Sequence, residues 1–338
     1  MLKINIIIFM ILAAATVFTH TRVDRYEKTG PDLLTGQWMG RPPENSPSRR
    51  ADVKENAIAL FSDDPKAGVN IYQEISGLDP GTVLEFFADM KCEDVKPGEK
   101  PWNRARVLLV QNDHKKDRWD IPHLVASLAG TLGWETYRVF FPIHPETKKI
   151  RVIAQLSQST GLLELKHIRL YPVSQARVYT WIRDGLLFLW TAFSFLLIGS
   201  CFVMGQKRMV LRVLLVSALI AIVFGTTMPG EMRTLVLNDI KTWVNPEPHP
   251  GNSSPDQWDL SKIGHFCFFA VFGLILCLMM PMVAAFQVMI IILLLAGGTE
   301  TAQFLIDGRT PLLGDFFIDA AGGFSGIMLI RSTPMNNQ

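Results

Sequence analysis

Seven side chains near the C-terminal end of the sequence carry chemistry that their neighbourhood does not explain. Lys262 and His265 open one apolar run, Glu300 and Gln303 close another, and Arg309, Asp315 and Asp319 come next in "TETAQFLIDGRTPLLGDFFIDAAGG" (299–323). A charge at a bilayer centre costs roughly 2.5–3.5 kcal/mol on insertion scales, so such residues mark a surface, an internal pair or a working site. Lys262 and Arg309 are phosphate donors, and Gln303 offers an amide. Glu300, Asp315 and His265 are the acid–base candidates, and Lys262, Gln303, Arg309 and Asp319 the substrate-binding ones. A purely structural ion network, in which the acids neutralise Lys262 and Arg309, is the competing reading. No tight ligand motif points to a metal, and no cofactor is expected.

The spacing groups these residues on helix faces. Lys262 and His265 are three apart, as are Glu300 and Gln303, so each pair shares a face. Asp315, Asp319, Gly322 and Gly326 form one stripe, polar above and glycine below, and glycines at that interval let helix backbones approach closely. Three helices thus direct polar groups into one cleft.

The elements that must position them are apolar segments at about 186–204, 209–228, 263–281, 283–299 and 315–330, preceded by "MLKINIIIFMILAAATVFT" at the N-terminus. That first run is short for a span, and it reads either as a retained anchor (1–20) or as a signal peptide ending near Ala13 and Ala15. Either one exports the region after it. Lys207, Arg208 and Arg212 in "GQKRMVLR" mark a cytoplasmic loop. Parity then puts the 229–261 and 300–314 loops outside and the "MMPMV" turn inside, so the polar cleft lies in the outer leaflet. "EMRTLVLNDIKTWV", with Trp243, reads as an interfacial helix or an ordinary packed one.

Between the first two spans the composition is that of a soluble domain. Residues 21–51, with "GQWMGRPPENSPSRR", read as a linker. Over 52–175, "NIYQEI", "TVLEFFADM", "RARVLLVQN", "TYRVFFPI", "KIRVIAQL" and "LLELKHIRLYPV" alternate apolar with polar residues, which predicts an all-β sandwich or jelly roll. Trp102 and Trp119 stand in polar loop contexts and are the candidate sugar platforms, whereas Trp134 is expected in the core. Of four cysteines only Cys92 lies here, so the domain has no internal disulfide. A net charge of +2 gives no nucleic-acid footprint.

Lys262-x-x-His265-Phe266, Gly273, Glu300-x-x-Gln303, Arg309, Asp315 and Gly322-x-x-x-Gly326 together resemble the VanZ-like membrane protein family over about 258–330. Two positions depart from that pattern: Ser261 stands where the family often has Asp, and Asp319 where it usually has Asn. The resemblance implies a polytopic envelope protein, some of whose relatives are linked to glycopeptide-antibiotic tolerance; it supplies no agreed reaction. "NIYQEISGLDPGTVLEFFADM", "GTLGWETYRVFFPI" and "LLELKHIRLYPV" resemble carbohydrate-binding jelly rolls of the galactose-binding-like class over about 60–173.

The expectation is therefore an α-helical polytopic membrane protein of about six spans, with a helical domain at 182–331 and an inserted extracytoplasmic β-sandwich, in the cytoplasmic (inner) membrane. Its expected role is to recognise or process an envelope glycan or lipid-linked precursor at the outer face. The alternatives are a non-catalytic scaffold among polysaccharide-assembly proteins and a transporter of a lipid-linked sugar. Expected partners are membrane lipids and that glycan or precursor.

Overall fold

The computed structural model describes residues 2–40, 46, 48–54, 57–113, 116–228, 232 and 260–332. The 231–244 segment read as a helix falls almost wholly outside them. The chain divides into two compact units, one made of Met1–Arg25 with Arg177–Gln338 and the other of Tyr26–Ala176.

The second unit is a two-sheet antiparallel sandwich. One sheet runs β2 (Arg49–Lys54), β3 (Ala57–Ser62), β11 (Thr160–Gln175), β5 (Val83–Lys96) and β9 (Gly130–Pro142), with β1 (Tyr26–Lys28) also on β11. The other runs β4 (Val69–Ser76), β10 (Lys149–Leu156), β6 (Ala105–Asn112) and β7 (Asp117–Arg118), with β8 (Leu124–Leu128) on β6. The period-2 pattern is literal in β10, where Ile150, Val152, Ala154 and Leu156 are buried and the residues between them are not. They meet Leu84, Phe86, Met90 and Leu170 from the opposite sheet in one core. Gly161, at φ +112°, sits where β5 and β11 slip register, and a Cβ there would strike the Asp94 carbonyl.

Part of the segment read as a linker belongs to this sandwich. Tyr26–Lys28 pair with Val173–Gln175, Leu33, Leu34 and Trp38 pack on the core, and Met39 bridges to Tyr72. Trp134 corrects another expectation: it is 42% exposed, not core. It points outward from the edge strand β9, where the Lys166 ammonium lies 4.2 Å from its ring centroid.

The first unit has six described helices long and apolar enough to cross a membrane: α1 (Leu2–Arg22), α2 (Arg177–Met204), α3 (Met209–Thr227), α4 (Leu260–Met279), α5 (Ala285–Ala302) and α6 (Leu313–Arg331). The chain is a multi-pass membrane protein. α1 is tied into the bundle by buried polar contacts, with the Trp190 indole N–H donating to Thr16 (3.0 Å) and the Asn5 amide to Ser200 (3.3 Å). α4 and α6 touch backbone to backbone. A Cβ on Gly322 would overlap the Phe266 carbonyl, one on Gly326 the Ala270 carbonyl, and one on Gly273 the Gly323 carbonyl.

Candidate functional site

That contact between α4 and α6 fixes the polar cluster. It sets His265, five residues into α4, against Asp319, six residues into α6, with Nδ1 of the histidine 3.0 Å from Oδ1 of the aspartate. At 1.5 Å per residue both lie roughly 8–9 Å below their helix ends. Glu300 arrives from the last turn of α5. Its Oε1 accepts from the Gln303 amide (3.0 Å) and its Oε2 from the Leu312 N–H just before α6 (3.1 Å). Gln303 can do this because the chain tightens into a 3-10 turn, Gln303–Leu305, at that point.

Glu300, Gln303 and Asp319 are 7%, 3% and 0% exposed, well beyond the burial usual for such polar side chains. One ligating atom from each of His265, Glu300 and Asp319 lies within 4.8 Å of the others. The second Asp319 oxygen, Oδ2, is buried with no hydrogen-bond partner. Among the described residues no Lys or Arg stands at ion-pair distance from either carboxylate.

The remaining sequence candidates surround this cluster. Asp315 is half-buried in the first turn of α6, where a helix N-terminus favours negative charge. Lys262 is exposed in the first turn of α4. Arg309 donates to the Gly225 and Thr226 carbonyls (2.9 and 2.8 Å), capping the end of α3. In that position it fastens the 300–314 loop to a helix.

Sequence reasoning missed an adjoining cavity of about 450 Å3. α2, α3 and α5 line it with Trp190, Ser194, Thr227, Gly298 and Thr299, and Arg183 and Asp307 stand at its edge. Thr299 directly precedes Glu300, so cavity and polar cluster are neighbours through one helix. Arg25 also pairs with Asp307. No local motif announces this space, because its walls come from three separate segments between Arg183 and Asp307.

In the sandwich, Trp102 and Trp119 are both exposed, at 53% and 52%. Trp102 precedes β6, with Lys100 5.3 Å from its ring centroid; Trp119 follows β7, which pairs with the far end of β6. An eight-residue strand spans roughly 27 Å, so the two rings mark separate patches. Trp119 is flanked by Arg118, whose guanidinium bonds hold the Asp120 carboxyl down at about 2, and stacks edge-on to His123.

Comparison with solved structures returns carbohydrate-binding sandwiches. The CBM22-1 xylan-binding domain of Paenibacillus barcinonensis Xyn10C is 14% identical, with 44% of this chain and 99% of that one covered and a TM-score of 0.31. The N-terminal cellulose-binding domain of Cellulomonas fimi β-1,4-glucanase C is 15% identical, at 44% and 99% coverage and a TM-score of 0.29. These likenesses are slight, and the sandwich fold rests on its own strands. No match is found among curated proteins. Residues 228–333 match the VanZ/LLP1 family model. The helices in that matched stretch are the ones that carry the buried His265–Glu300–Asp319 cluster.

Proposed function

We propose that the protein recognises the headgroup of a lipid-linked envelope glycan, or its precursor, at the end of the bundle where α4 and α6 begin and α5 ends. The observation that carries this reading is the pairing of a buried polar cluster with a cavity beside it. Aromatic and aliphatic walls suit a lipid chain, while Thr299, Arg183 and the polar loop suit a phosphate or sugar. Sugar binding by the sandwich itself would use Trp102 or Trp119, each exposing a ring face to stack on a sugar.

The cleft and sandwich face outward in this reading. Lys207, Arg208 and Arg212 occupy the opposite end of the bundle, the usual cytoplasmic signature. α1 is retained as a span, because removing it would strip Trp190 and Ser200 of their partners. Glu300, Asp315 and His265 make processing of the bound headgroup a second reading, favoured by the burial of Glu300 among hydrogen bonds that orient it.

The test is a mass-spectrometric comparison of envelope glycolipids from cells with the protein, without it, and with Glu300→Gln. A changed headgroup that reverts only with the wild type supports processing, and an altered amount or location supports recognition or transport. Identical profiles in all three strains would sink both. Sidedness is read separately, with single cysteines at Lys207 and Ser253 and an impermeant thiol reagent. Ser253 should label and Lys207 should not.

A further inference from the structure

We propose that His265, Glu300 and Asp319 form a binding site for a divalent transition-metal ion. Four observations converge on it. The three ligating atoms lie within 4.8 Å of one another although they come from three helices. Nδ1 of His265 and Oδ1 of Asp319 are 3.0 Å apart, and two ligands each about 2.1 Å from one ion sit about 3.0–3.4 Å apart at angles of 90–110°. The other Asp319 oxygen is fully buried and has no hydrogen-bond partner, an expensive arrangement unless something positive completes it. Finally, two buried carboxylates share the space with no lysine or arginine beside them among the described residues, and half-buried Asp315 adds a third acid one turn away.

The donor set selects the ion. One imidazole and two carboxylates suit Zn2+ or Mn2+; Ca2+ demands six to eight oxygens, and Mg2+ is rarely held by dedicated protein cages. Three protein ligands leave positions open for water or for a phosphate oxygen. Glu300 is already oriented by Gln303 and the Leu312 N–H, the kind of outer contact that holds metal ligands in place. This site goes beyond the headgroup reading and does not depend on it.

The experiment uses the full chain in lipid nanodiscs, with Cys267→Ser removing the exposed thiol beside the site. The protein is stripped with chelator, then titrated with Zn2+, Mn2+ and Mg2+, and the bound metal is counted. The expected result is saturable uptake of Zn2+ or Mn2+ at a single equivalent, with Mg2+ far weaker. Asp319→Asn, Glu300→Gln and His265→Gln should each weaken binding by at least about tenfold while metal-free size-exclusion profiles stay unchanged. Where a variant does not fold, Co2+ loaded into the wild type decides instead, through a visible spectrum of an N/O-ligated, low-coordinate ion. Stripped, folded wild type that takes up none of Zn2+, Mn2+ or Co2+ would overturn the proposal. So would undiminished uptake in folded Asp319→Asn or Glu300→Gln. Because no glycolipid enters the assay, a metal-free outcome would leave the headgroup reading untouched.

Discussion

Among the described residues there are two histidine–aspartate pairs of nearly the same length, one in each unit. In the sandwich His167 meets Asp89 at 2.7 Å, with the two side chains 67% and 27% exposed. In the bundle His265 meets Asp319 at 3.0 Å, at 9% and 0%. The sandwich pair is cushioned: Asp89 also accepts from Thr136, and the His167 bond, the largest influence, sets its carboxyl below the usual range. The bundle pair has no such surplus, and one of its oxygens is left without a partner. Burial rather than the pairing decides whether such a contact is decoration or constraint.

The sharpest way to break the contrast is to move the helices that bury the second pair. Gly326→Leu should abolish recovery of folded, monodisperse protein, since its Cβ would already collide with the Ala270 carbonyl and overpacking alone costs about 1–3 kcal/mol or more. Gly314→Ala, at a position with open space around it, should leave the yield unchanged.

Within the pairs, removing one partner of the buried contact typically costs about 3–5 kcal/mol, so His265→Ala should lower the thermal midpoint of the purified protein by many degrees. His167→Ala should hardly move it. Equal effects would show that burial is not the deciding variable.

In the sandwich, Phe86→Ala should cost about 3–5 kcal/mol, because Phe86 is fully buried. Trp134→Ala removes an exposed ring and one cation contact, worth about 0.5–1 kcal/mol, and should leave a 26–176 fragment folded by circular dichroism.

Smallest is the pH response of the surface pairs. The Asp120 carboxyl is lowered to about 2 by Arg118, and Asp89 is lowered by His167 and Thr136. A depressed carboxyl stabilises the folded state above its unfolded value, near 3.9, and that contribution is lost as pH falls toward the folded one. The fragment's melting temperature should therefore be insensitive to these groups above about pH 5 and drop between about 4 and 2. Asp120→Asn should shallow that drop.

Legibility in the sequence followed the same divide. Strong periodicity located β10 at the residues predicted for it and the five later spans to within a few residues, apart from a longer start to α2, because a core face and a bilayer both impose an apolar pattern. β2, "RRADVK", was hidden because it is an edge strand with no fully buried residue. Trp134 misled for a related reason: alternation identifies a strand but not which face of an edge is covered. In the site, helical spacing united Glu300 with Gln303 and marked Gly322 and Gly326 as a face for close approach, while the helix that approaches, α4, is visible only in the fold. The competing reading set Arg309 against the acids, whereas the structure sends its guanidinium to carbonyls of α3, a tertiary contact that spacing cannot encode. Cys92, the one cysteine of the sandwich, is fully buried, and burial pushes its thiol up.

The first and last strands of the sandwich are neighbours, with Tyr26 opposite Gln175. Paired residues of antiparallel strands lie only about 4.5–5.5 Å apart. An insertion of about 150 residues, when folded, therefore joins α1 to α2 as tightly as a short hairpin would. Unfolded, it becomes a long floppy tether. Each doubling of a flexible loop costs about 0.6 kcal/mol in closure entropy, so five doublings amount to roughly 3 kcal/mol. Melting the sandwich should loosen the first helix from the bundle without breaking any contact inside the membrane.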